Sequence, residues 1–442
     1  MTAPEELPYE ASPAAAASPG KDQHVVRRRR KSSVRGHAHA QQSAAAKQDK
    51  LDKLSQRSRA RALLRRCKHI AVKHTWTTPL VLLLLFLSAY AVNPTESNVV
   101  HNFIFLSYKV PQAADDESPV QYGKGLWDVA FVFFYSIVLT FTREFIMQEL
   151  LRPLAKFYNI RSRGKQLRFM EQMYTAIYFA ILGPAGMYVM SRTPVWYFNT
   201  TGMYESFPHK THEAVVKFYY LFEAAYWAQQ ALVMLLGMEK PRKDYYELVA
   251  HHIVTLALIG LSYRFHFTYM GIAVYLTHDI SDFFMAASKS LNYIDHPITG
   301  PWYCLSLCSW IYLRHFINLK ILWSILTEFK TVGPWDLNWE TQQYKCWISQ
   351  YITFGLLGLL QSLNLFWLFF LLRIGYRYVW HGEEKDDRSE AEDSEYEPME
   401  TIDEVSSKVD VAPLVNGDVA SIANGMAKAS APAAPARRTR RA

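Results

Sequence analysis

Apolar and polar positions are sharply segregated along this chain. Residues 1–75 and roughly the last 60 are polar and low in complexity, while the stretch between them is dense in Leu, Ile, Phe, Tyr and Trp. A membrane span needs roughly 20 mostly apolar residues to cross a hydrocarbon core of about 30 Å. Eight stretches approach that length: 76–92, 126–147, 172–190, 214–236, 246–264, 268–287, 301–326 and 350–374. The pattern predicts an all-α polytopic membrane protein, a bundle of about eight transmembrane helices between disordered polar tails. Tails of that composition cannot bury enough apolar surface to offset the entropy of ordering. The fifth and sixth spans are joined by so few residues that they predict a helical hairpin. "GPAG" at 183–186 predicts a kink in the third span, and "NFIFLSYK" at 102–109 is too short to cross and is expected at the membrane interface. The domain boundaries that follow are a basic tail (1–75), a first anchor with its loop (76–119), a main membrane domain (120–380) and an acidic tail (381–442).

Charge orients the bundle. Eight spans place both tails on one side. On that side, residues 57–73 carry seven Lys/Arg, 148–171 carry six and 239–244 carry three, whereas the opposite loops 93–125 and 191–213 carry two each. The positive-inside rule therefore puts both termini in the cytosol. A sequon, "NTT" at Asn199–Thr201, falls in an opposite-side loop, where glycosylation of Asn199 is expected. The formal net charge of +8 gathers beside spans, which argues against nucleic acid as a partner and for the lipid bilayer. The first apolar run begins only near Trp76, behind a long basic stretch, and reads as a retained anchor rather than a cleaved leader. The four cysteines (Cys67, Cys304, Cys308, Cys346) form no CxxC pair, and no zinc spacing or set of iron-type histidine boxes is present; the expectation is no disulfide framework and no metal site.

Ionisable groups inside spans cost about 2.5–3.5 kcal/mol each on insertion scales, so they are candidate chemistry. Here they collect in the hairpin. The fifth span opens with His251 and His252; the sixth carries His278, Asp279 and Asp282. With the turn centred near Phe265, His252 lies 13 residues before it and Asp279 14 after it. At 1.5 Å per residue both are roughly 20 Å from the turn, hence at one depth, a turn or two inside the cytosolic face. Two imidazoles opposite two carboxylates suit proton transfer, because a carboxylate fixes an imidazole's tautomer and stabilises its charged form. The plainer alternative is an interfacial role for either histidine, with the aspartates paired to Lys289 or Arg314 for structure alone. Arg314 itself lies mid-span and needs a buried partner.

The stretch 251–293, "HHIVTLALIGLSYRFHFTYMGIAVYLTHDISDFFMAASKSLNY", resembles the Lag motif of ceramide synthases within the TLC domain, and "KPRKDYYELVA" before it resembles the approach to that motif. The resemblance covers roughly residues 120–380 and is nearest the fungal type. It implies N-acylation of a sphingoid base (dihydrosphingosine or phytosphingosine) by a fatty acyl-CoA in the endoplasmic reticulum membrane, giving ceramide and CoA. On the matching positions His251, His252, Asp279 and Asp282 would be catalytic. Arg242, Lys243, Asp244, His278 and Arg314 are candidates for substrate binding. No cofactor is implied beyond the acyl-CoA co-substrate. The chemistry is consistent: an amine attacking a thioester must lose a proton, which histidine can accept near neutral pH, and an imidazole can alternatively take the acyl group first. The expectation is that His251 meets the acyl group. The resemblance also implies a small single-pass subunit and a second catalytic chain as partners. Ser389 and Ser394, each with Glu three residues on, sit in a run (383–404) of twelve Asp/Glu and are expected phosphorylation sites. The rival reading is a non-enzymatic TLC-domain lipid-binding or membrane-organising protein, which has no need of the His pair and D-x-x-D constellation.

Overall fold

The computed structural model describes residues 56–71, 73–113, 115, 117–238 and 243–381. The helices are α1 (56–71), α2 (Thr77–Val92), α3 (Trp127–Phe157), α4 (Arg163–Ser191), α5 (Ala214–Leu235), α6 (Tyr245–Arg264), α7 (Thr268–Tyr293), α8 (299–327) and α9 (Trp347–His381). The only strands among the described residues are two short ones, β1 (Gln121–Tyr122) and β2 (His212–Glu213), paired antiparallel. From α2 to α9 the helices coincide with the eight apolar stretches. Four of them (α3, α4, α6 and α9) are long and apolar enough to cross a membrane by length and composition, and α2 is apolar but shorter. The remaining three are interrupted by ionisable residues: Lys217 and Glu223 on α5, Asp279 and Asp282 on α7, Arg314 on α8. The chain is a multi-pass helical membrane protein.

One expectation is corrected. Residues 56–71, read as part of a disordered tail, are helical; apolar residues recur there at helical spacing within a polar composition. α4 runs through the "GPAG" of the third span, with Pro184 inside the helix. Gly186 in that stretch serves close packing. A Cβ on Gly186 would collide with the Tyr219 hydroxyl and lie 2.6 Å from Leu276 Cδ2, so glycine lets α4 approach α5 and α7. The pairing of α4 with α7 is the most extensive in the bundle, followed by α8 with α7 and α3 with α5.

The hairpin expected between the fifth and sixth spans is present. α6 ends at Arg264; His266 takes a positive φ of 66°, and the Phe267 N–H donates to the Ser262 carbonyl at 2.8 Å. The polar residues of α7 do not all face one neighbour, and that decides the site. Both α3 and α8 contain a π-helical turn, Ile146–Leu151 and Ile311–Ile317. The second turns Arg314 and His315 inward together, where both are buried.

Candidate active site

Asp244 stands just ahead of α6, and His251 and His252 follow in its second turn; all three are buried. His252 directs Nδ1 at the Leu248 carbonyl, 2.9 Å away one turn back. That bond makes Nδ1 the protonated nitrogen and leaves Nε2 as the basic one. His251 is held differently. Its ring lies edge-on between two indoles, Trp227 of α5 at 5.8 Å and Trp367 of α9 at 5.3 Å between centroids. Nε2 stands 3.5 Å from the Thr255 hydroxyl, and Nδ1 is buried with no hydrogen-bond partner. Trp367 is itself fixed by donating Nε1–H to the Asp244 carboxylate at 3.2 Å.

The two aspartates have separate fates. Asp282 pairs with Arg314 at 2.5 Å, and its side chain remains 25% exposed. Asp279 is fully buried and accepts the Tyr219 hydroxyl at 3.1 Å, while its Oδ1 has no partner. Asp279 also interacts electrostatically with Glu223, a buried carboxyl on α5 that accepts the Tyr178 hydroxyl at 3.2 Å. The carboxylates therefore make their strongest bonds to arginine and tyrosine, and His251 takes none of them.

Arg314 engages all three nitrogens of its guanidinium. Besides Asp282 it donates to the Ser281 hydroxyl (2.7 Å), Asn364 Oδ1 (3.2 Å) and the His278 carbonyl (3.4 Å), and it stacks over Trp310 at 3.9 Å. With Oδ1 of Asn364 held by arginine, its Nδ2 must face His278 Nε2, 3.3 Å away, and His278 Nδ1 donates to the Val274 carbonyl at 2.9 Å. A single chain of bonds thus runs from Asp282 through Arg314 and Asn364 to His278 and sets that imidazole's tautomer.

Two cavities meet at His251. The polar one, of about 360 Å³, is lined by His252, Asp282, Arg314, Asp244, Arg168 and Lys289 among others. The apolar one, of about 220 Å³, runs between α6, α7 and α9 toward the hairpin turn and the loop carrying Trp339 and Tyr344; His278 and Thr255 line it near the histidine. His251 and Trp227 line both. Of the nine residues expected at the site, the structure gathers His251, His252, Asp282, Asp244 and Arg314 around the polar cavity and sets His278 on the apolar one. Asp279 lines neither. Lys243 is exposed at the foot of α6, and Arg242 lies outside the described residues, as do Ser389 and Ser394. Asn199 is exposed.

Residues that motif reading did not single out complete the site: Trp227, Trp367, Asn364, Tyr219 and Glu223. Glu223 and Asn364 carried a usable signal, a carboxyl and an amide in mid-span. The two tryptophans carried none, since aromatic residues are frequent in every span. Among the described residues, no group of three or more His, Cys, Asp or Glu is arranged to hold a metal ion.

Residues 168–373 match the TLC domain, and that segment contains both cavities. A sphingosine N-acyltransferase-like protein of Gibberella moniliformis is 55% identical over 331 residues, covering 74% of this chain and 85% of the relative. A sphingosine N-acyltransferase of Schizosaccharomyces pombe is 48% identical over 343 residues (77% and 88%), and a ceramide synthase of Saccharomyces cerevisiae is 49% identical over 325 residues (73% and 78%). With identity this high over most of both chains, and with the paired histidines at the junction of two cavities, the chain belongs to the sphingosine N-acyltransferase, or ceramide synthase, family of TLC-domain proteins.

Proposed function

We propose that this protein transfers the acyl group of a fatty acyl-CoA to the amine of a sphingoid base, giving a ceramide and free CoA. The observation that carries the reading is the position of His251, on the wall shared by a polar and an apolar cavity. A fatty acyl thioester has the same polarity change at its reacting carbon. Its chain can enter the apolar cavity, its phosphates the polar one with Arg168 and Lys289, and its carbonyl then lies beside His251. The sphingoid base brings a cation that the part-exposed Asp282 carboxylate can hold near the same point.

In the transfer, the amine nitrogen forms a bond to the thioester carbon, the carbon–sulfur bond breaks, and the electron pair leaves on the CoA sulfur. His252, with Nε2 as its basic nitrogen, takes the amine proton and returns it to the thiolate. His251 meets the carbonyl, either as the imidazole that first accepts the acyl group or as support for the charge on the carbonyl oxygen. Asp279 acts from outside both cavities by fixing α7 against α5 through Tyr219. By analogy with its family the protein resides in the endoplasmic reticulum membrane, and the basic loops at the end bearing the polar cavity favour cytosolic termini. Its polar cavity then faces the compartment that holds CoA, and Asn199 faces the opposite compartment, where glycosylation occurs. A small single-pass subunit and a second catalytic chain are its expected partners.

The test is CoA release by the purified full chain given acyl-CoA and dihydrosphingosine, beside His251→Ala and His252→Ala, with intact-mass analysis. Base-dependent release lost in both variants supports the reading. An acyl adduct that forms without base and vanishes only in His251→Ala assigns the nucleophile. Undiminished release in both variants refutes the site.

A further inference from the structure

The helix α1 has no place in the acyl-transfer reading, and it is built unlike the rest of the chain. Every residue from 56 to 70 is exposed, Leu63 and Leu64 at 63% and 68%. At about 100° per residue, Ala60, Leu63, Leu64, Cys67, Ile70 and Ala71 fall within one third of the helix perimeter. The other two thirds carry Arg57, Arg59, Arg61, Arg65, Arg66 and Lys68, and the segment 57–73 contains no Asp or Glu. A soluble helix would not leave such a stripe in water beside so dense a charge of one sign.

Its far end is fixed. The chain turns at His74, whose carbonyl accepts the Thr77 N–H at 3.0 Å, so α1 does not continue into α2. The next residues are bonded to the C-terminal half of α3: the Thr75 hydroxyl donates to Glu144, and the Trp76 indole donates to Glu149 at 2.9 Å with its ring edge-on to Phe145. Beyond these contacts α3 leads into the start of α4, where Arg168 lines the polar cavity. The base of α1 is thus anchored where the bundle meets the membrane surface on the polar-cavity side.

We propose that α1 is an interfacial helix that docks on the anionic lipid of that leaflet, its apolar third among the acyl chains and its arginines among the phosphate headgroups. Charge complementarity selects anionic over neutral lipid, and each basic residue near such a surface strengthens partition roughly fivefold. The proposal is independent of the acyl-transfer reading, because it concerns a segment outside both cavities.

Cys67 lies in the apolar stripe and serves as a native reporter. The full chain is placed in nanodiscs of phosphatidylcholine alone or with added phosphatidylserine, and modification of Cys67 by a membrane-impermeant maleimide is followed by peptide mass. Phosphatidylserine should slow Cys67 labelling roughly tenfold or more, and should leave a cysteine on the basic face (Ala62→Cys) reactive. The triple variant Arg57→Glu, Arg61→Glu, Arg65→Glu should return Cys67 to fast labelling. Equal rates in the two discs would overturn the proposal, as would protection that is complete in phosphatidylcholine alone. Protection that appears with free CoA or inorganic phosphate and not with anionic lipid would assign the arginines to a soluble phosphate and overturn it too.

Discussion

Replacing Arg314 by methionine tests whether the chain of bonds around Asp282 holds the bundle together. The substitution keeps an unbranched side chain of similar reach and removes the charge, so the loss is electrostatic and hydrogen-bonding rather than a cavity. Breaking a buried ion pair from one side costs about 3–5 kcal/mol, chiefly through the charge left behind. Asp282 is a quarter exposed to the polar cavity, which brings the expectation to the low end, about 3 kcal/mol. The neutral contacts to Ser281 and Asn364 are lost in addition, about 1 kcal/mol each before relaxation. Adding Asp282→Asn removes the stranded charge and should restore about 2 kcal/mol, leaving the double variant more stable than the single. A protein of this kind is expected to unfold irreversibly, so the readout is the half-life of the folded chain at a fixed temperature in one detergent. If the difference falls on the unfolding barrier, 2 kcal/mol lengthens that half-life about thirty-fold. A double variant that decays as fast as Arg314→Met, or faster, would show that Asp282 is not the group Arg314 compensates.

Three further outcomes follow from the geometry. Gly186→Ala forces a Cβ against the Tyr219 ring and Leu276, and should destabilise the fold by about 1–3 kcal/mol; an unchanged half-life in the same assay would show that the approach of α4 to α5 and α7 does not require glycine there. Burial holds His209 and His266, both in loops, down at about 4 against an ordinary 6.5. The unfolded chain therefore takes up protons that the folded chain refuses between those values, so stability should be full above pH 6.5 and fall as pH drops toward 4; a half-life that stays flat across that window, or is unchanged in slope by His266→Gln, would contradict it. Leu356→Trp fills the apolar cavity away from His251 and should lower use of the longest acyl-CoA substrates while sparing shorter ones; an unchanged ratio of products by acyl length would remove that cavity from the acyl path.

How far the sequence disclosed this arrangement depended on the kind of residue. Spans showed because lipid demands long apolar runs, and the hairpin followed from the short gap before Thr268. His251, His252 and Asp282 were legible because titratable groups inside a span are costly and therefore few. Asp279 was legible by the same rule and its role was not. On a helix, positions 279 and 282 share a face only approximately, and the close approach of α4 and α5 that Gly186 permits turns Asp279 into a packed interface with Tyr219, away from the cavities. Glu223 and Lys217 obeyed the same cost rule on α5; reading only the hairpin passed over both. Trp227 and Trp367 could not be distinguished from other aromatics by composition, since what marks them is contact with His251. The helix at 56–71 was hidden by averaging: its apolar positions are a minority in a basic segment, and only their spacing reveals them.

The position of His251 also explains why this one residue is framed by rings rather than by carboxylates. A hydrogen-bonding partner at Nδ1 would tie the imidazole to one orientation and one tautomer; the orphaned Nδ1 and the distant Thr255 hydroxyl leave both open, while the indoles of Trp227 and Trp367 confine the ring in space. His252 has the opposite treatment, with Nδ1 committed to the backbone. A pair in which one imidazole is electronically uncommitted and the other is fixed as a base is suited to a two-part transfer, in which one group meets the carbonyl and the other moves the proton. Trp367→Phe separates the two demands, because it keeps an aromatic wall but loses the bond to Asp244. If confinement of His251 is what Trp367 supplies, turnover should fall several-fold with little change in the substrate concentration that half-saturates the enzyme. If Asp244 and Trp367 instead serve to bind CoA, the half-saturating concentration of acyl-CoA should rise while turnover at saturation holds, and the framing argument would fail.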